Sequence, residues 1–207
     1  MPTLRLTAGL LLTAALLVVG RPESGLAEAS GNPLKLTTGF YVDPDSSAAA
    51  YVRRHPEDTE LASKIAGQAS ARWVGSWSGD VQADVTTYTT AAAKTDKLPV
   101  LVTDNLPGRQ CGIGGGAASA AAYRTWIAAV SAGIGTRPAV LVLEPDALAR
   151  LDCYPASQWD ARLAMLKYAV GLFAAKNPNT WAYLDAGSVT SGDAKEMARR
   201  LRLADVG

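Results

Sequence analysis

Pro138-Ala139-Val140-Leu141-Val142-Leu143-Glu144-Pro145-Asp146-Ala147-Leu148-Ala149 carries the pattern of a buried strand that stops abruptly. Five consecutive apolar residues, Ala139 to Leu143, suit a strand covered on both faces. Pro145 has no N–H and cannot extend a ladder, so the strand ends before it. Asp146 therefore falls just past a strand's carboxyl end, where parallel α/β folds gather ligands and catalytic groups. The alternative is that Asp146 only N-caps a helical turn over Ala147-Leu148-Ala149.

Working outward, strands and helices alternate. Strands are predicted at Leu36–Val42, Ala71–Val74, Leu98–Val102 and Trp181–Leu184. Helices are predicted from Ala48 to Arg54, Thr59 to Gln68, Asp80 through Tyr88, Ser119 through Val130, Ser157 through Phe173, and Asp193 to Ala204. Tyr123, Trp126, Trp159 and Phe173 fall inside helices and read as core. Such alternation predicts a parallel sheet with right-handed crossovers, either an open doubly wound sheet or a barrel. No internal repeat or long low-complexity linker interrupts it.

The chain's 207 residues carry a formal net charge of +1 with no large basic cluster, which argues against nucleic acid as the main partner. Leu10 to Val19 is almost wholly apolar, follows Arg5, and precedes the small-x-small site Ala27-Glu28-Ala29. This is the plan of a secretory signal peptide over residues 1–29. The apolar run is short for a membrane span, and an uncleaved anchor is the alternative. Export would leave one domain over residues 30–207, extracellular and off the membrane. In an exported chain the two cysteines, Cys111 and Cys153, suggest a disulfide; two free buried thiols are the other option. The single histidine, His55, sits in Arg53-Arg54-His55-Pro56, so no metal is expected.

Three predicted strand ends carry carboxylates: Asp104 to Cys111, Glu144 to Cys153, and Asp185 to Ser188. Carboxylates in one mouth with tryptophans nearby suit glycoside hydrolysis, in which an acid protonates the leaving oxygen and indole faces stack on sugars. Gly112-Ile113-Gly114-Gly115-Gly116 also lies between a strand and a helix. It lacks the Lys-Ser/Thr of a nucleotide loop, so it reads as a flexible loop. Trp77 suits core packing or sugar stacking equally. Arg109 could clamp a carboxylate near the site, but reads rather as a loop brace.

Several blocks resemble glycoside hydrolase family 6, the secreted cellulases. They are Phe40-Tyr41-Val42-Asp43-Pro44, Asn105-Leu106-Pro107-Gly108-Arg109-Gln110-Cys111, Ala122-Tyr123-Arg124-x-Trp126-Ile127, Leu143-Glu144-Pro145-Asp146-Ala147-Leu148, Leu151-Asp152-Cys153 and Tyr183-Leu184-Asp185-Ala186-Gly187. The resemblance implies a distorted (β/α) barrel of parallel strands, incomplete at the C-terminus, as a partial catalytic domain over residues 30–207. It implies β-1,4-linked glucan as substrate, hydrolysis with inversion, no cofactor, and a monomer. Asp146 would be the general acid. Trp73 would line the sugar subsite beside the cut, and Asp185 the cleft floor. Cys111 and Cys153 would form a disulfide tying two active-site loops.

Departures stand beside these matches. Gln110 replaces a usual Asp, Asp104 a usual Tyr, Ser188 a usual His and Ser191 a usual Trp. The family also continues well past the position of Gly207. A fragment of a longer product, a member that has lost activity and only binds β-glucan, and an active chain in which Asp104 supplies the missing carboxylate are the readings that follow.

Overall fold

The computed structural model describes residues 32–109, 111–187 and 193–205. The expected signal peptide, Gln110, Ser188 and Ser191 lie outside them. Four strands, β1 (Arg72–Gly75), β2 (Val100–Asp104), β3 (Ala139–Leu143) and β4 (Thr180–Leu184), form one parallel sheet in the order β1-β2-β3-β4. The helices are α1 (Ser47–Arg54), α2 (Thr59–Leu61), α3 (Val81–Lys94), α4 (Ala120–Ile134), α5 (Trp159–Lys176) and α6 (Ala194–Leu203). Each crossover advances one strand in the same direction. Right-handed connections then lay α3, α4 and α5 side by side on one face. Accordingly α3 packs on α4, and α4 on α5. Among the described residues the sheet stays open, an incomplete barrel as expected.

Local chemistry explains the elements. Asp80 caps α3 through the Ala83 N–H at 3.0 Å, and Ser119 caps α4 through the Ala122 N–H at 3.1 Å. The threonine-rich α3 forms because Val85 and Ala92 are buried in the core shared with Ile127, Val130 and Ile134 of α4, and Tyr88 packs edge-on against Tyr41. Leu163, Leu166 and Phe173 extend this core through α5. Tyr123 and Phe173 are fully buried as expected, with Trp126 and Trp159 packed at the margin. Buried Asn177, the C-cap of α5, accepts from the Ser131 hydroxyl at 2.6 Å and donates to the Ser131 and Gly135 carbonyls, locking α5 to α4.

β3 matches the expected strand residue for residue, but three expectations need correction. Leu36–Val42 is no strand; it opens with a 3₁₀ turn at Pro33–Leu36 and makes one bridge, Phe40 to Leu98. Beyond that bridge β1 takes the same edge, with Arg72 paired to Leu101, so the bridge does not grow into a ladder. Thr59–Gln68 is not one amphipathic α-helix: α2 passes at Ala62 into a π-helical turn that ends before Gly67. The residues after Asp146 are turns leading to a 3₁₀ turn at Leu151–Cys153, so Asp146 does not cap a helix.

Register fixes the two sheet faces. Leu101, Leu141, Thr103 and Leu143 turn toward the helices and are fully buried. One row on the other face runs Trp73, Val102, Val142, Tyr183, and its two ends are half exposed.

Candidate active site

The carboxyl edge of the sheet collects the acidic groups. Asp104 ends β2, Glu144 and Asp146 follow β3, and Asp185 follows β4. Pro145 is flanked by two residues in the left-handed region, Glu144 at φ 46° and Asp146 at φ 63°. That turn sends the two neighbouring carboxylates to opposite environments. The Glu144 side chain enters the interior; the Asp146 side chain remains 47% exposed. The Asp146 N–H donates to Asp185 Oδ2 at 2.6 Å, and Arg150 pairs with Asp146 Oδ2 at 2.9 Å. Asp185 thus touches Asp146 directly, fixing the backbone beneath its carboxylate. The Arg150 pair is exposed and of small energetic weight.

Trp73 is 51% exposed and lines an open cleft of about 570 Å³ at the outer edge of β1. Trp77, Asp43, Asp45, Arg72, Asp84 and Tyr88 share that cleft, whereas Asp146 and Asp185 do not line it. Trp73 and Asp146 therefore occupy the same sheet edge but do not line one continuous cavity. Between them stands Asp104, whose carboxylate is paired with the Arg109 guanidinium. Arg109 in turn lies over the Trp77 ring, 4.8 Å from its centroid. Trp77 packs so closely on Gly75 that a Cβ there would overlap the indole. Arg109 thus clamps a carboxylate at the sheet edge, the alternative to a simple loop brace. Trp77 is packed on Gly75 yet half exposed at the cleft.

Cys111 and Cys153 are joined, with Cα atoms 5.0 Å apart. The bridge ties the loop after β2 to the turns after β3. The glycine-rich segment is not a phosphate cradle. It folds back on its own start, with the Gly108 N–H donating to the Gly115 carbonyl at 3.0 Å and the Ala117 N–H to the Asn105 carbonyl at 2.8 Å. A Cβ at Gly116, which has φ 80°, would overlap the Leu106 carbonyl.

Four supporting residues went unnoticed in the sequence. Buried Arg162 of α5 donates to the Pro107 carbonyl at 2.7 Å and stacks on Tyr154, whose hydroxyl donates to the Gly108 carbonyl at 2.6 Å. Buried Arg200 of α6 donates to the Leu148 carbonyl and to both Asp152 oxygens, each at 2.7 Å. Glu144 accepts from the Asn105 and Leu106 N–H groups at 2.9 and 3.0 Å. A lone arginine beside the inward Leu163 was the available signal for Arg162. Glu144 stood in the diagnostic stretch itself, overshadowed by Asp146.

Burial pushes the Glu144 carboxyl up to about 7, against the two backbone donors, which favour the charged form. Burial and the neighbouring Glu144 raise the Tyr123 hydroxyl well above its ordinary range. Tyr88, under Arg72 at the cleft, is pushed up to about 12, chiefly by burial.

A parallel sheet whose carboxyl edge bears carboxylates and half-exposed indoles is the framework of an α/β glycoside hydrolase. The chain belongs to the glycosyl hydrolases family 6, whose model matches residues 36–206. It is 46% identical over 181 residues to Endoglucanase 1 of Streptomyces halstedii, covering 84% of this chain and 56% of that protein. It is 38% identical over 202 residues to Endoglucanase A of Thermobispora bispora, covering 94% and 44%. The fold superposes with a TM-score of 0.77 on the endoglucanase Cel6 of Mycobacterium tuberculosis, solved with methyl-cellobiosyl-4-deoxy-4-thio-β-D-cellobioside. That match has 36% identity and covers 84% of this chain and 60% of the other. The chain thus spans about half the length of the curated relatives it matches.

Proposed function

We propose that this chain acts in an exported endoglucanase-type hydrolase of β-1,4-glucan. Residues 1–29 serve as its signal peptide, and no described helix is long and apolar enough to cross a membrane. The observation that carries the reading is Asp146: a half-exposed carboxyl at the end of β3, on a backbone held by Asp185. In this role Asp146 gives its proton to the glycosidic oxygen as the bond to the anomeric carbon breaks. Water attacks that carbon from the opposite face, inverting it. Trp73 offers an indole face to a glucose ring across the sheet edge. Asp185 acts mainly by holding Asp146 in place and secondarily as part of the cleft floor.

A second reading, glucan binding without turnover, is favoured by one observation. Asp104, six residues before Gln110 in the sequence, is already engaged by Arg109. Reducing-sugar release from a soluble β-1,4-glucan by residues 30–207 separates the two. Asp146→Asn is expected to cut the rate about 10²- to 10⁴-fold, the usual contribution of a general acid. A fall of less than tenfold removes Asp146 from that role. No release from a folded wild type, with glucan retained in affinity electrophoresis, selects the binding reading.

A further inference from the structure

The polar groups beneath the active-site loop are arranged around Glu144 rather than Asp146. Glu144 is only 2% exposed, and one of its oxygens, Oε2, receives both amides at the exit of β2. Its own N–H donates to the Thr103 carbonyl at 2.9 Å. Its other oxygen, Oε1, is buried and makes no hydrogen bond of ordinary geometry; the buried Tyr123 hydroxyl interacts with this carboxyl from α4. Two residues later the chain presents Asp146, after a turn that is left-handed at both Glu144 and Asp146. A surface acid needs no such anchorage for stability alone, since a buried carboxyl of this kind is costly. The anchorage does set the distance between the β2 exit, which carries Asp104 and Arg109, and the turn that carries Asp146.

We propose that Glu144 is a positioning residue: its buried carboxyl clamps the exit of β2 to the turn after β3 and thereby places the Asp146 carboxyl for proton transfer. The catalytic half of this inference rests on the hydrolase reading above; the clamp itself does not. The groups facing Glu144 are Thr103, Asp104 and the Asn105 and Leu106 amides from β2 and its exit, Tyr123 from α4 and Arg162 from α5. Ionisation of Glu144 is therefore felt by each of these elements.

The test compares Glu144→Gln, which keeps an acceptor oxygen at the same reach, with Glu144→Met, which keeps the length and removes it. Amide hydrogen exchange is read at Asn105, Leu106 and Asp146. In the Met variant all three are expected to lose protection together, and in the Gln variant all three keep it. Asp146 remaining protected in the Met variant, while Asn105 and Leu106 open, would overturn the clamp. On soluble β-1,4-glucan the Met variant is expected to lose about tenfold or more in kcat at little-changed KM, with the Gln variant rescued. Equal losses in both variants would overturn the positioning role. If the wild type itself releases no sugar, the hydrolase reading fails and exchange still decides the clamp. Should the Met variant not fold, an NMR pH titration of the wild type decides instead. The Asn105, Leu106 and Asp146 amides are expected to shift with one common midpoint near 7, and an Asp146 amide that does not follow sinks the inference.

Discussion

Glu144 and Asp146 show how one intervening proline gives neighbouring carboxylates different chemistry. Glu144 is driven into the core by its φ of 46° and becomes a buried acid with a pKa of about 7, against an ordinary value of 4.5. The folded state therefore holds that proton more tightly than the unfolded chain does. Its contribution to stability is complete below about pH 4.5 and is lost as pH rises through about 7. The loss is on the order of 3 kcal/mol at most. Urea unfolding between pH 4 and 8 is expected to show this decline in the wild type and a flatter profile in Glu144→Gln. Equal slopes in the two proteins would show that another group governs the window. Asp146 was legible in the sequence because Pro145 ends the strand in front of it. The burial of Glu144 was not, because the sign of a backbone φ beside a proline leaves no trace in hydrophobic pattern. The engagement of Asp104 was hidden for a related reason. Its partner Arg109 is five residues away and meets it only when the loop folds back over Trp77.

At the scale of elements, the segment from Asp104 to Ala117 is held by three independent fastenings. Glu144 takes the Asn105 and Leu106 amides, Arg162 and Tyr154 take the Pro107 and Gly108 carbonyls, and Cys153 takes Cys111. The disulfide closes a loop with a sequence separation of 42, for which chain entropy gives about 4 kcal/mol. Replacing both cysteines by serine is therefore expected to lower the urea midpoint while leaving the far-ultraviolet circular dichroism of the sheet and helices unchanged. An unchanged midpoint would assign the fastening to Glu144, Arg162 and Tyr154 alone. Elements with strong internal periodicity or an abrupt chemical stop were readable from sequence, as β3, α4 and α5 show. The segment Leu36–Val42 was misread because its pairing depends on a distant residue. The edge of β2 that it bridges at Leu98 is taken over by β1 from Leu101 on, a competition no local pattern records. Arg200 was equally hidden. It sits among other arginines on α6, and only tertiary contact distinguishes the one that reaches Leu148 and Asp152.

For the whole molecule, the sheet's two faces set the behaviour. Helices α3, α4 and α5 lie side by side along one face, and its central residues Leu101, Leu141 and Leu143 are fully buried. Along the other run Trp73, Val102, Val142 and Tyr183, with Trp73 51% and Tyr183 52% exposed. Asp104 and Asp185 share that face by register and strand alternation, so the residues assigned to sugar contact line the uncovered side. In a closed barrel this face would look inward. Here its two ends meet solvent while Val102 stays buried, and among the described residues β4 pairs with a strand on one side only. A parallel sheet with an open face and an open edge is prone to edge-to-edge or face-to-face association. Residues 30–207 are accordingly expected to sediment as a concentration-dependent mixture at tens of micromolar rather than as the monomer the family resemblance implies. Tyr183→Lys places a charge in the exposed row next to that edge and is expected to shift the distribution toward monomer without changing the thermal midpoint. Soluble cello-oligosaccharide, if it covers Trp73 on the same face, is expected to act in the same direction. A wild type that stays monomeric throughout would mean that the uncovered row is too narrow to drive association, and that stacking on Trp73 does not compete with self-contact.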